Sequence, residues 1–167
     1  MKGTFAQAEL HIIRARLHGG KLNKANKGEL RFPLPVGFVF DDDKIALDPD
    51  QEVQGAVRTV FELFKRESTA YAVVQRFQNL GLRFPRRSYG GAWDGKLLWG
   101  RLTHSRVLGI LANPSYAGTY YVFGRYQACK QIGPTGEIRT QSRLMPQHEW
   151  RVVIPGHHSG YITWDQF

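Results

Sequence analysis

Three groups of residues in this sequence have types and spacings that suit recognition of a polyanion. The first lies between Thr103 and Asn113, where Thr103, His104 and Ser105 open a predicted helix and Arg106, Gly109 and Asn113 fall on one face of it. Arg and Asn present paired hydrogen-bonding groups that match base edges, and a glycine lets the backbone come close. An ordinary surface helix with a packing glycine reads the same way, so the neighbouring residues decide. The stretch leading into it carries the second group, Arg83, Arg86, Arg87, Lys96 and Arg101, interleaved with Phe84, Tyr89, Trp93 and Trp99. Five cations are enough to straddle a phosphate backbone. Trp93 and Trp99 have the faces to stack on unpaired bases, but rings in a long loop more often pin it to its own domain. The third group, Lys21, Lys24, Lys27 and Arg31, sits in a polar stretch with no core face. It reads as a solvated helix end or as an arm drawn to the negative potential of a minor groove.

Residues for bond-breaking chemistry are poorly arranged. His148-Glu149 and His157-His158 with Asp165 are the nearest approach to a metal or nuclease site, yet no spacing among them is that of a ligand set, and neighbours in a strand point to opposite faces. Loop histidines at the surface are the plainer reading. There is no glycine-rich phosphate loop and no serine in a nucleophile-elbow sequence. Cys129 has no histidine close in sequence and reads as an inert thiol. The expectation is therefore a binding module with no catalytic residue, no metal and no cofactor of its own.

Charge supports binding. The 167 residues hold 23 Lys and Arg against 14 Asp and Glu, a formal charge of +9, with 42% hydrophobic residues for a core. The excess is not uniform: residues 1–40 have seven bases and two acids, residues 41–67 four and eight, and residues 68–125 eight bases and only Asp94. Two separate basic surfaces follow, of the kind that bind nucleic acid. One cysteine excludes an internal disulfide and a four-cysteine zinc site. No window approaches the roughly 20 apolar residues of a membrane span, and no export signal is visible, so a cytoplasmic protein is expected.

The elements that position these groups can be drawn from periodicity. A first helix is predicted from a capping box at Thr4, with Phe5, Ala8, Leu10, Ile12, Ile13 and Leu17 as its apolar side and Gly19-Gly20 ending or weakening it. Lys21 to Gly37 reads as a helix end plus an extended linker, given Pro33 and Pro35. Phe38-Val39-Phe40 and Ile45-Ala46-Leu47 read as strands around an Asp41-Asp42-Asp43 turn. Asp48-Pro49 opens the clearest helix, with Val53, Val57, Val60, Phe61 and Phe64 at helical spacing. Ser68 is predicted to cap the next, which carries Ala70, Val73, Val74, Phe77 and Leu80 and stops at Gly81. A loop from Arg83 to Arg101 precedes the third short helix, capped by Thr103 and ended by Asn113-Pro114. Strands are expected at Tyr116 to Phe123, Tyr126 to Ile132, Ile138 to Arg143 and Trp150 to Ile154. The expected fold is α+β and mainly helical: a helix-turn-helix-like three-helix core with a long basic loop and a small antiparallel β-meander, preceded by the end of a long helix.

Several stretches together resemble a known family. Ala8-Glu9-Leu10-His11-Ile12-Ile13-Arg14-Ala15-Arg16-Leu17, Lys27-Gly28-Glu29-Leu30-Arg31, Leu34-Pro35-Val36-Gly37-Phe38, the helix Val57 to Phe64, and Ile110-Leu111-Ala112-Asn113-Pro114-Ser115-Tyr116-Ala117-Gly118 resemble, in order and spacing, the recombinase domain of large serine recombinases of the resolvase/invertase superfamily. The resemblance spans about residues 3–125, and His157 to Phe167 is similar to the stretch leading to that family's zinc ribbon. It implies a fragment: residues 1–28 as the end of a long linker helix, 29–125 as the DNA-binding domain, and 126–167 as a β-rich extension. The serine-bearing catalytic domain would precede residue 1 and the zinc ribbon would follow. It further implies a duplex attachment-site half as the partner, with the linker in the minor groove and the third helix near the major groove. The parent would be a homodimer on DNA, a tetramer in synapsis, and associated with a prokaryotic nucleoid. Without the resemblance, the residues also fit a helix-turn-helix nucleic-acid-binding regulator unrelated to recombination, or more weakly a metal-dependent nuclease using His148, Glu149 and His157. An upstream resolvase-like domain separates the first two, and metal-dependent DNA cleavage would mark the third.

Overall fold

Helix α1, Lys2–Asn26, shows where local signals mislead. In the computed structural model, which describes residues 2–88 and 95–167 (backbone only for 2–6 and 8), α1 runs straight through Gly19 and Gly20. Each mid-helix glycine costs only about 1 kcal/mol, too little to break a ladder. The stop is Gly28, at a φ of 74°. There the N–H groups of Gly28 and Glu29 donate to the carbonyls of Ala25 and Lys24, both at 2.9 Å, closing the helix with a left-handed cap. Residues 21–26 are the helix end, and the extended linker follows Gly28.

The described chain falls into two compact units, Met1–Phe32 with Tyr120–Ile154, and Pro33–Thr119 with Pro155–Phe167. In the second unit β1 (Phe38–Asp41) pairs antiparallel with β2 (Lys44–Leu47), in register Phe38 to Leu47. Asp42 and Asp43, with φ of 42° and 68°, make the tight two-residue turn that needs left-handed residues and tolerates aspartate. Helix α2 (Gln51–Glu67) buries Val53, Val57, Val60 and Leu63, and α3 (Ala70–Asn79) buries Ala70, Val73, Val74 and Phe77, the apolar spacing read from sequence.

Two caps differ from expectation. Asp50, not Asp48, caps α2, its carboxylate accepting from the Glu52 N–H at 2.8 Å, because Asp48 is buried and engaged elsewhere. Ser68 closes α2 in the left-handed conformation, and Thr69 caps α3 through an Oγ1 that accepts from the Ala72 N–H at 3.2 Å.

The predicted loop from Arg83 to Arg101 is instead a hairpin. β3 (Phe84–Arg87) pairs antiparallel with β4 (Leu97–Gly100), because Leu97, Leu98 and Trp99 offer a strand to the buried Phe84 and Pro85. Phe84 packs edge-on to Phe77 of α3 at 6.3 Å. Helix α4 (His104–Leu111) follows Thr103, whose hydroxyl makes no capping bond, and buries Val107 and Ile110. Asn113 then caps a 3-10 turn, Pro114–Ala117, so the strand expected from Tyr116 starts only at Tyr120. Gly118, at a φ of 71°, ends the turn, and a Cβ there would overlap the His158 carbonyl oxygen.

Residues 155–167 complete this second unit. The Tyr161 N–H donates to the Tyr116 carbonyl at 2.7 Å and its hydroxyl to the Gly37 carbonyl at 2.6 Å, while the rings of Phe38, Tyr116 and Tyr161 meet edge-on or tilted, with centroids within 5.9 Å of one another. Burial pushes the Tyr161 phenol far above its ordinary value, helped by the nearby Asp48 carboxylate.

In the first unit β5 (Tyr120–Val122) pairs with β8 (Val152–Ile154), and β6 (Tyr126–Ile132) pairs with β7 (Ile138–Leu144) across the Gly133 to Gly136 turn. The expected meander is thus one hairpin nested between the strands of another, since β5 takes its partner from after the inner hairpin. All four sheets among the described residues are two-stranded and antiparallel, and with four α-helices the fold is α+β.

Two measurements test this packing. The Arg87 guanidinium meets the Asp48 carboxylate at 2.7 Å, with the side chains 23% and 7% exposed. Arg87→Ala should lower unfolding free energy in urea by about 2 kcal/mol, less than the roughly 3–5 kcal/mol of a fully buried pair, and Asp48→Asn in that background should recover part of the loss. The His158 Nε2–H donates to the Ser115 carbonyl, 2.9 Å away, and burial holds its ring below the ordinary 6.5. The unfolded ring protonates as pH falls through 6.5 while the folded ring resists, so stability present above that value is lost on acidification. The fall in melting temperature between pH 7.5 and 5.5 should shrink in His158→Gln.

Candidate nucleic-acid interface

The exposed side of α4 contains no acidic residue. His104, Ser105, Arg106, Leu108 and Gly109 face outward, while Val107 and Ile110 fix the opposite side to the core of the second unit. Arg106, Gly109 and Asn113, placed on one face by their spacing, do line one feature: a groove of about 320 Å³ whose other walls include Pro35, Val36 and Phe84. Asn113 reaches it with one hand occupied, because its Oδ1 accepts from the Ser115 N–H at 3.0 Å. Thr103 and Ser105 bring their hydroxyls within 3.4 Å of each other at the opening of the helix.

The hairpin ahead of α4 distributes its cations unevenly. Arg83, Arg86, Lys96 and Arg101 are exposed. Arg87 is half-buried and bonded to Asp48 and, at 3.4 Å, to the Gly95 carbonyl, which gives it a structural task. Trp99 is half-buried opposite Pro85 in the β3–β4 register, and Phe84 is fully inside, so these two rings pin the hairpin. Tyr89 and Trp93 lie outside the described residues. In the first unit Lys21 and Lys24, three residues apart, share a helical face; they, Lys27 and Arg31 are all exposed.

Other chemistry is not assembled. His148 and Glu149 approach at 3.6 Å in an exposed turn, and the His157 and His158 Nδ1 atoms lie 3.3 Å apart with His158 turned to Ser115. Among the described residues no three His, Cys, Asp or Glu side chains are grouped to hold a metal ion, and no helix is long and apolar enough to cross a membrane. A cavity of about 630 Å³ beside α2 is lined by Phe61, Phe64, Leu111, Ile162 and Phe167 with the polar Arg58, Glu62, Lys65, Ser68, Tyr161 and Gln166.

Two features escaped the sequence reading. Asp48 and Gln54 form a buried polar junction whose partners are distant in sequence. The alternating residues of β6 and β7 become a polar face only once their register is known.

A family model described as Recombinase matches residues 51–167. The chain is similar to an uncharacterized protein y4bA/y4pH of Sinorhizobium fredii (strain NBRC 101917 / NGR234), 42% identical over 168 residues covering all of this chain and 24% of that protein; it spans about a quarter of that relative's length. The fold is similar to that in a solved structure described as a crystal structure of a LSR-DNA complex, with a TM-score of 0.54 at 17% identity over 91% of this chain and 35% of that one. Matched over a stretch that carries α2, α3, α4, every strand from β3 onward and the closing segment through Phe167, this chain belongs to the Recombinase family.

Proposed function

We propose that this chain is the duplex-DNA-binding part of a serine site-specific recombinase, recognising one half of an attachment site and holding a catalytic domain elsewhere in the longer protein over the crossover site. The observation that carries this reading is α4: a rigidly seated, acid-free helix presenting Arg106 and Gly109 to solvent, in a chain of the Recombinase family. Its eight residues span about 12 Å, which a major groove about 12 Å wide admits. α3 and α4 pack together with the β3–β4 hairpin joining them, so the proposed reader is helix-turn-helix-like with a hairpin in place of the tight turn. Arg83, Arg86, Lys96 and Arg101 would meet phosphates on either side. Lys21, Lys24, Lys27 and Arg31 would hold the backbone and minor groove. In this reading 29–125 is the recognising segment, the parent acts as a dimer on cytoplasmic DNA and a tetramer in synapsis, and its serine forms a covalent phosphoserine link that this stretch does not make.

Selection of binding sequences from random duplexes by the chain, followed by gel shifts, tests the reading. Arg106→Ala should cost about 1–3 kcal/mol on the selected duplex and relax preference at one position, whereas Lys24→Ala should weaken selected and random duplexes alike. Equal losses on both from Arg106→Ala would sink the assigned role of α4. With about five phosphate contacts, log affinity should fall against log salt with a slope near −4.5; a slope near zero would remove the electrostatic basis altogether.

A further inference from the structure

The β6–β7 ribbon is exposed along nearly its whole length, yet its two faces differ in a way that the family match and the α4 reading leave unused. Pairing runs Tyr126 to Leu144, Gln127 to Arg143, Ala128 to Ser142, Cys129 to Gln141, Lys130 to Thr140, Gln131 to Arg139 and Ile132 to Ile138. Directly opposed residues share a face and successive pairs face opposite ways. One face is therefore Gln127, Arg143, Cys129, Gln141, Gln131 and Arg139, three carboxamides and two guanidiniums, with Glu137 at its turn end ion-paired to Arg139. The other carries Tyr126, Leu144, Ile132 and Ile138 with Lys130 between them.

The ribbon is also firmly mounted. At its base the Arg125 guanidinium sits 5.3–5.6 Å from the rings of Tyr121, Tyr126 and Trp150 and donates to the Tyr121 hydroxyl at 2.7 Å. The Trp150 Nε1–H donates to the Met145 carbonyl at 2.8 Å, and the Met145 N–H to the Arg125 carbonyl at 2.9 Å, so both strands leave one fixed junction. At the far end Glu137 bonds to the Thr135 hydroxyl and to Arg139, at 2.6 Å for the latter, which orders the turn. Between these anchors two strands of seven residues extend about 24 Å with both faces wet, a form that is marginal in water without something to cover it.

We propose that this ribbon is a second reader of duplex DNA, entering a major groove with the face Gln127, Gln131, Arg139, Gln141 and Arg143. The inference rests on the DNA-binding reading above and adds a separate element to it. A major groove admits a two-stranded ribbon as readily as a helix, glutamine pairs bidentately with adenine and arginine with guanine, and cysteine is small enough to leave the approach open. Charge favours the same partner: between residues 125 and 144 four bases, Arg125, Lys130, Arg139 and Arg143, face one acid, Glu137. Paired apolar side chains at the tip, Ile132 and Ile138, 80% and 68% exposed, are the feature that would instead suit docking of another protein.

The experiment selects binding sites from random 40-base-pair duplexes with the wild-type chain, then repeats the selection with the triple variant Gln127→Ala, Gln131→Ala, Gln141→Ala. A charge-preserving pair, Arg139→Lys with Arg143→Lys, and Ile132→Ser with Ile138→Ser are carried alongside, with circular dichroism to confirm folding. The expected result is loss of one block of the selected motif in the triple variant, with a drop of about tenfold or more in the ratio of selected to random affinity, while random-duplex affinity holds. The lysine pair should lose the same block while retaining random affinity, which a merely structural role for these side chains would not produce. The block lost to Arg106→Ala should be a different one. An unchanged motif in the triple variant overturns the proposal while leaving the α4 reading intact. A wild-type chain that binds no duplex overturns both. An unchanged motif together with loss of self-association in the serine pair, seen by sedimentation, assigns the ribbon to protein docking instead.

Discussion

Asp48 is the residue on which the second unit depends. Its carboxylate is almost out of water, and three separate segments converge on the residue. The Asp48 N–H donates to the Gly37 carbonyl at 2.8 Å, its own carbonyl accepts from the Gln54 Nε2 at 2.7 Å, Oδ1 accepts from the Asp50 N–H at 3.1 Å, and Oδ2 meets Arg87. A charge in such a place is tolerable only when fully bonded, so the linker, the start of α2 and the β3–β4 hairpin are held at one point or not at all. The same Gly37 carbonyl takes the Tyr161 hydroxyl, which brings the closing segment into the junction.

From that junction the position of α4 follows. The hairpin is fixed at one end by Arg87 and along its length by Phe84 against Phe77, and it delivers the chain to Leu102, which is buried just before Thr103. Val107 and Ile110 then leave α4 no rotational choice, and Arg106 with Gly109 are turned to the groove beside Pro35 and Val36. A helix seated this rigidly would lose little conformational entropy if it met a ligand. Arg87, one of the five cations of this stretch, is bonded to Asp48 and so helps hold the hairpin on which Arg86 and Lys96 are exposed.

The first unit is built on a different principle. Apart from Ala25, α1 has no buried side chain among those described, and Leu10, Ile13 and Leu17 stand in water along one side. The unit's own core is small: Tyr120 packs on Phe32 at 5.5 Å and donates to the Leu30 carbonyl, while Arg125, Tyr121 and Trp150 clamp the strands. Elements this extended offer long surfaces rather than pockets.

The sequence by itself determined the helices and their core positions. Val53, Val57 and Val60, or Val73, Val74 and Phe77, recur at helical spacing, and local periodicity dictates which face must leave water. It also determined the tight turn at Asp42-Asp43, the β6 and β7 strands, the excess of cations, and the residues whose order marks the family. Only the tertiary structure decided the partners of distant residues. Neither Phe84–Arg87 nor Leu97–Gly100 shows the apolar-polar alternation of a strand, so this hairpin is set by the surface it packs on. That β5 skips the inner hairpin to pair with β8, that Asp48 is a buried junction rather than a cap, and that Arg87 answers to it across 39 residues, are long-range choices. Local propensity is silent on them because their energy lies in pairing and burial between segments that meet only when the chain is folded.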